Sequence, residues 1–414
     1  MARLVMKFGG TSVGTLERMR AAAERVRAEI DAGWSACVVV SAMAGETNRL
    51  VELAAQAAAG VADARDETDS ILATGEQASA AMFALVLRAA GMKARSWQGW
   101  QAGVTTTDAW GKARITAFED GALGAAIDSG EVAVLTGFQG VTGDGRVTTL
   151  GRGGSDLSAV AAAAALNAGR CDIYTDVDGV YTTDPRIVRQ AQRIDRISYE
   201  EMLELASLGA KVLHTRSVEL AFAKRVPLRV LSSFTELGQP NQGTLLCPED
   251  QIMEERIVTG VAYTKDEAKV TLLGLPEVPG TAAKVFALLA EADINVDMIV
   301  QSPARGGEHA NMVFTVSMGE LERAKAAILR GKQDVGLKDI LTDADVSKVS
   351  VIGLGMRSHS GVAHTMFSAL GAKGISIEAV STSEIKISVL VRSEYTELAV
   401  RALHSAFGLD AVPA

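Results

Sequence analysis

The sequence predicts an α/β sandwich followed by a pair of small α+β units. Three observations carry this: strand-like runs alternate with alanine-rich helical stretches from residue 1 to about 235, the first strand ends in a lysine and paired glycines, and an internal repeat begins beyond residue 256. Strands are expected at 4–6, 36–41, 132–138, 172–175 and 228–232, and helices at 15–30, 48–59, 75–90, 120–128, 155–168 and 215–224. Leu16, Met19, Ala23, Val26 and Ile30 recur at three- and four-residue spacing, which gives the first helix its apolar stripe. Residues 61–69, acidic and turn-like, read as a solvated surface loop, and 237–255, rich in Gly, Pro, Asn, Gln and charge, as a linker. Beyond it, "KVTLLGL" (269–275) matches "KVSVIGL" (348–354), Gly280 to Ile294 matches Gly361 to Ile375, and "INVDMIVQS" (294–302) matches "ISIEAVSTS" (375–383). With apolar strands at 312–317 and 385–391, each unit reads β-α-β-β-α. An extra strand at 257–263 precedes the first unit, and the second has little room for its last one. The extra strand is therefore expected to complete the second unit and interlock the pair. The division predicted is 1–235, a linker at 236–256, a first small unit at 257–344 and a second at 345–414.

Composition excludes several classes of partner. A net charge of −9 and a pI near 5.3 argue against nucleic acid or an anionic membrane, which need a basic surface. The sequence shows no signal-peptide pattern and no long uncharged apolar run, so the expectation is a cytoplasmic protein. Cys37, Cys171 and Cys247 are odd in number and widely spaced, as reduced core thiols are, and of the five histidines only His359 and His364 come near a ligand pattern, so no protein-held metal is expected. An anionic substrate would need a local basic pocket.

Candidates for that pocket lie where strands end. "MKFGGTS" (6–12) delivers Lys7, two glycines that bring bare backbone close to a phosphate, and the hydroxyls of Thr11 and Ser12. Taken alone it equally describes a strand ending in a tight turn, and it is neither a Walker A nor a dinucleotide fingerprint. "GRGGSD" (151–156) opens a helix with three glycines, the planar fork of Arg152 and Ser155 as an N-cap candidate. Ser155 and Asp156 also suit a plain helix start. "YTDVDGVYTTDPR" (174–186) offers Thr175, Asp176, Tyr181, Asp184 and Arg186 at a strand end, "VVVSAMAGETN" (38–48) offers Ser41 and Thr47, and "TGE" (74–76) puts a carboxylate at a helix start.

Together with "ASLGAKVLH" (206–214), these motifs resemble aspartate kinase over nearly the whole chain. Only "SWQGWQAG" (96–103), with two tryptophans, departs from the commoner pattern. The resemblance implies an amino-acid-kinase-like three-layer α/β/α sandwich followed by two interlocked ferredoxin-like ACT domains. It implies transfer of the ATP γ-phosphoryl group, with Mg²⁺ carried by the nucleotide, to the β-carboxylate of L-aspartate. The product, 4-phospho-L-aspartate, opens the route to lysine, threonine and methionine, with feedback inhibition by lysine, threonine or both. Lys7 would then serve the transferring phosphoryl group, with Asp156 orienting it. Arg152 would take the substrate α-carboxylate, Glu76 its ammonium, and Thr47, Gly153, Gly154 and Ser155 would help place the rest. Phe8, Gly9, Gly10, Ser41, Thr175, Asp176, Tyr181, Asp184, Arg186 and Lys211 would hold ATP. Asn295, Val296, Asp297 and Gln301 match a first effector site, with Asp297 pairing the effector ammonium, and Ser381, Thr382 and Glu384 a second. A polar strand edge is the plain alternative for the first set. A homodimer or higher oligomer through the ACT sheets is expected, and Met253 could start a separate regulatory subunit. The rival readings are a glutamate or acetylglutamate kinase of the same fold, which leaves the tandem tail unexplained, and a non-catalytic amino-acid sensor, which would dispense with Lys7 and Arg152.

Overall fold

In the computed structural model, which describes residues 2–209, 212–236, 238–239, 241–252, 256–303 and 309–410, the opening strand lies inside an eight-stranded sheet. In chain order the elements are β1 (Arg3–Phe8), α1 (Leu16–Asp31), β2 (Ser35–Val40), α2 (Glu46–Ala57), α3 (Arg65–Ala89), β3 (Ala94–Trp97), β4 (Val104–Thr106), β5 (Ile115–Phe118), α4 (Gly121–Asp128), β6 (Val132–Thr136) and β7 (Gln139–Val141). There follow β8 (Val147–Thr149), α5 (Gly154–Ala165), β9 (Arg170–Thr175), β10 (Val180–Tyr181), β11 (Arg193–Ile194), β12 (Arg196–Ser198), α6 (Tyr199–Ser207), α7 (Thr215–Lys224), β13 (Leu228–Ser232) and β14 (Thr244–Cys247). The large sheet runs β12-β14-β13-β9-β1-β2-β6-β3, parallel except at β13–β14, and β4, β5, β7 and β8 form a second small sheet. Because β1 pairs with β2 on one side and β9 on the other, the chain reverses direction across the sheet there, and the crevice beyond the strand ends is where such sheets hold ligands.

Side-chain alternation along β1 sorts core from site. Leu4, Met6 and Phe8 face α1 and α3, joining Met19, Val26, Val38, Val40, Phe83 and Leu87 in one fully buried cluster. Lys7, out of phase with them, faces α5. That helix is buried nearly all round by its alanines, as a helix covering the sheet centre must be. Thr15 caps α1 by accepting from the Arg18 N–H at 3.2 Å.

Three expectations are corrected. Residues 65–69 of the supposed surface loop are the first turns of α3, whose 25 residues are long and apolar enough to cross a membrane but are half buried in this fold. Glu76 sits in mid-helix, not at a helix start: Thr-Gly reads as a break, but here Gly75 lets α3 approach β2, since a Cβ would stand 2.9 Å from the Ala42 Cβ. The supposed linker contributes β14, whose Leu246 and Cys247 are buried between β12 and β13.

The second unit comprises, among the described residues, the chain from residue 256 together with Tyr181–Gln192, which begins at the last residue of β10, and residues 207–209. Its elements are β15 (Gly260–Pro276), α8 (Thr281–Glu291), β16 (Asp297–Pro303), β17 (His309–Val316), α9 (Leu321–Arg330), α10 (Lys332–Val335), β18 (Asp339–Ile352), α11 (Val362–Gly371), β19 (Ala379–Thr382), β20 (Lys386–Arg392) and α12 (Thr396–Ala406). One sheet runs β16-β17-β15-β18-β20-β19. The long strands serve both repeats: Gly260–Thr264 pairs with Lys348–Ile352 of the second, and Lys269–Leu273 with Asp339–Asp343. Each repeat keeps its own core, around Phe314 and Leu289 in the first and around Val349 and Leu403 in the second.

Charges tie the repeats reciprocally. Lys348, 5 % exposed, contacts Glu267 and lies 2.8 Å from Asp297, while its repeat counterpart Lys269 pairs with Glu378, the counterpart of Asp297. Burial works against the charge on Lys348, yet Glu267 and Asp297 outweigh it and hold the ammonium above its ordinary pKa. Lys348→Ala, which strands Glu267 unpaired and buried, is expected to destabilise the second unit by about 3–5 kcal/mol. A smaller loss is expected for Lys348→Met/Glu267→Leu, and differential scanning calorimetry of the two variants checks the order.

Candidate active site

The ends of β1, β2, β6 and the β8–α5 connection line one cavity of about 240 Å³, bounded by Lys7, Ser41, Thr47, Glu76, Phe138 and Gly151–Asp156. Lys7 Nζ lies 2.6 Å from Asp156 Oδ1 in the first turn of α5, both side chains being mostly buried. The lysine is therefore aimed by that carboxylate and not free to roam. Gly153 adopts φ +71°, and a Cβ there would strike the His214 ring, so only glycine lets the loop pass beneath Arg152 into the helix. Gly153, not Ser155, is the N-cap; Ser155 lies inside the helix, buried beside Gly137.

Glu76 is 3 % exposed. Its Oε1 accepts the Ala42 N–H at 2.9 Å, while Oε2 has no partner. Burial pushes its pKa up to about 7 despite the Ala42 N–H. Glu76 lines the same cavity as an exposed arginine and a buried lysine, a set of charges that suits a zwitterion.

Other expected residues are placed differently. The Phe8 ring is buried against Phe83 and Tyr174, leaving only its backbone for a ligand. Gly9 donates to the Tyr174 carbonyl at 3.2 Å, and Ser12 is turned inward onto Ser233 at 2.8 Å. Thr175 ends β9 and Asp176 follows it, the Thr175 hydroxyl donating to Asp176 Oδ1 at 3.1 Å. Tyr181, Asp184 and Arg186 belong to the second unit and are absent from the cavity lining. Asp184 is not free for a nucleotide: it takes the Arg186 backbone and guanidinium at 2.7–3.2 Å and the Tyr263 hydroxyl at 3.3 Å, because the Asp-Pro-Arg turn closes on itself. Lys211 and Met253 lie outside the described residues.

A second cavity, of about 300 Å³, is formed in the first repeat by Leu275–Ala282, Gln301 and Met312. Of the expected effector residues only Gln301 lines it. Asn295 is exposed, Val296 packs partly on the first core, and Asp297, its side chain more than half exposed, pairs with Lys348 through Oδ2. Ser381 and Thr382 lie on β19 opposite Ser388 and Ile387, and Glu384 stands 3.4 Å from Arg357. Glu277 and Thr281 went unnoticed in the sequence, although the Gly280 that opens α8 marks the place, as did Phe138, whose φ of +70° follows the end of β6. Among the described residues no group of three or more His, Cys, Asp or Glu could hold a metal ion.

The amino acid kinase family model matches residues 2–232, and the ACT domain model matches 270–330 and 349–407. Fold and cleft thus define an amino acid kinase with paired ACT domains. Aspartate kinase of Pseudomonas putida is 49 % identical over 414 residues, covering 99 % of this chain and 98 % of that protein, and aspartokinase of Mycobacterium tuberculosis is 46 % identical over 411 residues, covering 99 % and 97 %. E. coli aspartokinase III, solved in complex with aspartate and ADP, superimposes with a TM-score of 0.82 at 29 % identity, over 98 % of this chain and 99 % of that one. A second structure of that enzyme, with lysine and aspartate, gives 0.74 over the same shares. The chain belongs to the aspartate kinase family.

Proposed function

We propose that the chain transfers the γ-phosphoryl group of ATP to the β-carboxylate of L-aspartate, in the first cleft, under feedback from an amino acid bound by the second unit. The observation that carries this is the convergence of Lys7, Asp156, Arg152 and Glu76 on one cavity. A carboxylate acceptor, with an unperturbed pKa near 4, is ionised at neutral pH and needs no general base. The barrier is repulsion between two anions, so the protein's task is positioning and charge neutralisation. Arg152 takes the α-carboxylate bidentately, and Glu76 takes the ammonium. Thr47 and Ser155 orient the side-chain carboxylate towards Lys7, which stabilises the charge on the transferring group. The backbone at Gly10 approaches the phosphates, and Thr175 and Asp176 border the nucleotide. Lys211 completes the nucleotide contacts in this reading, supported by the family match alone. The two carboxylates of the cleft are one paired with Lys7 and one driven towards neutrality by burial, a poor donor set for a resident cation. Mg²⁺ accordingly comes with ATP, where it neutralises phosphate charge.

Regulation rests on the cavity beside Gln301. E. coli aspartokinase III was solved with lysine, which supports lysine as an effector here, and threonine is the second candidate. The three described cysteines are buried and free, which supports a cytoplasmic setting at the entry to lysine, threonine and methionine synthesis. Pairing of copies through the ACT sheets is part of the same reading.

Hydroxylamine trapping with aspartate against glutamate, with and without lysine and threonine, tests this. Aspartyl hydroxamate alone should form, less of it with effector; equal turnover of glutamate would contradict the reading. Arg152→Ala should raise KM for aspartate about thirtyfold, the scale of roughly 2 kcal/mol for a lost charged hydrogen bond, with KM for ATP unchanged. A rise confined to ATP would exchange the two halves of the cleft.

A further inference from the structure

The platform from which Arg152 projects is held by a buried carboxylate and a half-buried guanidinium, both outside the cavity lining. Asp69 of α3, 1 % exposed, accepts the Thr149 N–H at 2.7 Å and the Gly111 N–H at 2.9 Å on Oδ2, and the Thr149 hydroxyl at 2.7 Å on Oδ1. Arg216, in the first turn of α7, donates to the Leu150 carbonyl at 2.6 Å and the Ala113 carbonyl at 2.8 Å. A carboxylate thus takes the N–H groups, and a guanidinium the carbonyls, of the same two stretches, 111–113 and 149–150. The stretches are joined directly by Ala113 N–H to Thr149 O at 3.0 Å. Arg152 follows after one residue, Gly151, at φ +77°, where a Cβ would stand 2.8 Å from the Gly111 carbonyl.

We infer that Asp69 and Arg216 are positioning residues for the amino-acid substrate, fixing the Thr149–Leu150 stem so that Arg152 meets the α-carboxylate in register. The inference rests on the proposed role of Arg152. A buried carboxylate such as Asp69 is costly to desolvate, and here its hydrogen bonds, like those of the half-buried Arg216, fall on backbone that leads straight into a substrate loop. A displacement of about 1 Å in such a group is enough to lose about a hundredfold in rate.

The test is steady-state kinetics on Asp69→Ala, Asp69→Asn, Arg216→Ala and Arg152→Ala, with both doubles on Arg152→Ala, alongside thermal melts. Asp69→Ala and Arg216→Ala should each raise KM for aspartate about tenfold while leaving KM for ATP within about twofold. Asp69→Asn should restore most of the loss, because the amide oxygen still accepts both N–H groups and its NH₂ can meet Thr149. In the Arg152→Ala background neither substitution should raise KM for aspartate further, since the group they position is gone. Should Asp69→Ala not fold, Thr149→Val, which removes only the hydroxyl contact, should show the same selective change at smaller amplitude. Multiplying effects in the doubles, or equal losses for both substrates tracking the melting temperature, would overturn the positioning role alone. An unchanged KM in Arg152→Ala itself would overturn the substrate-site reading and the inference with it.

Discussion

Lys7→Ala is expected to lower kcat by at least about a hundredfold, the scale for losing a preorganised donor to transition-state charge. The effect falls on kcat because the extra negative charge between the reactants develops only as the phosphoryl group moves, so the lysine binds the transition state more tightly than either ground state. Its aim depends on Asp156, 2.6 Å away, and the two act as a unit. Lys7→Ala/Asp156→Ala should therefore be about as slow as Lys7→Ala, not the product of the two single losses. Single-turnover kinetics measure this, and near-normal turnover in Lys7→Ala would exclude the assignment.

Glu76→Gln is expected to stabilise the protein while crippling it. The folded-state pKa of about 7 lies above the ordinary 4.5, because burial penalises the carboxylate. The folded protein then holds this proton more tightly than the unfolded chain. The resulting loss of stability is absent below about pH 4.5, grows as pH rises through the window between the two values, and is complete above about pH 7. The glutamine variant escapes it and should gain stability on the order of 3 kcal/mol above pH 7, and nothing at pH 4. Denaturant unfolding at the two pH values reads the difference. Aspartate binding goes the other way, since the ammonium needs the ionised carboxylate. In the parent, kcat/KM for aspartate should fall as pH drops through about 7. In Glu76→Gln it should be low throughout, without that acid limb.

The architecture was legible where pattern and spacing carry physical meaning. The apolar stripe of α1 marked the helix, the lysine and paired glycines marked the end of β1, and the repeat exposed the paired units through self-similarity. Cleft residues at strand ends were legible too, since Lys7, Ser41, Thr47 and Arg152 all sit at junctions with turn chemistry. Glu76 was recognised but misplaced, because a mid-helix glycine serving close packing is locally indistinguishable from a helix boundary. The small sheet of β4, β5, β7 and β8 escaped notice, its strands of three or four residues being too short to show a period. The pairing of Asp297 was not legible for a different reason: its lysine partner lies 51 residues away, and the cross-repeat register that joins them is a tertiary fact.

The most direct measurement is a crystal structure with L-aspartate and a non-hydrolysable ATP analogue bound. The α-carboxylate should lie on Arg152, the ammonium on Glu76, and the β-carboxylate beside Lys7, facing the terminal phosphate. Aspartate bound with its β-carboxylate turned away from Lys7, or found only in the cavity beside Gln301, would contradict the account.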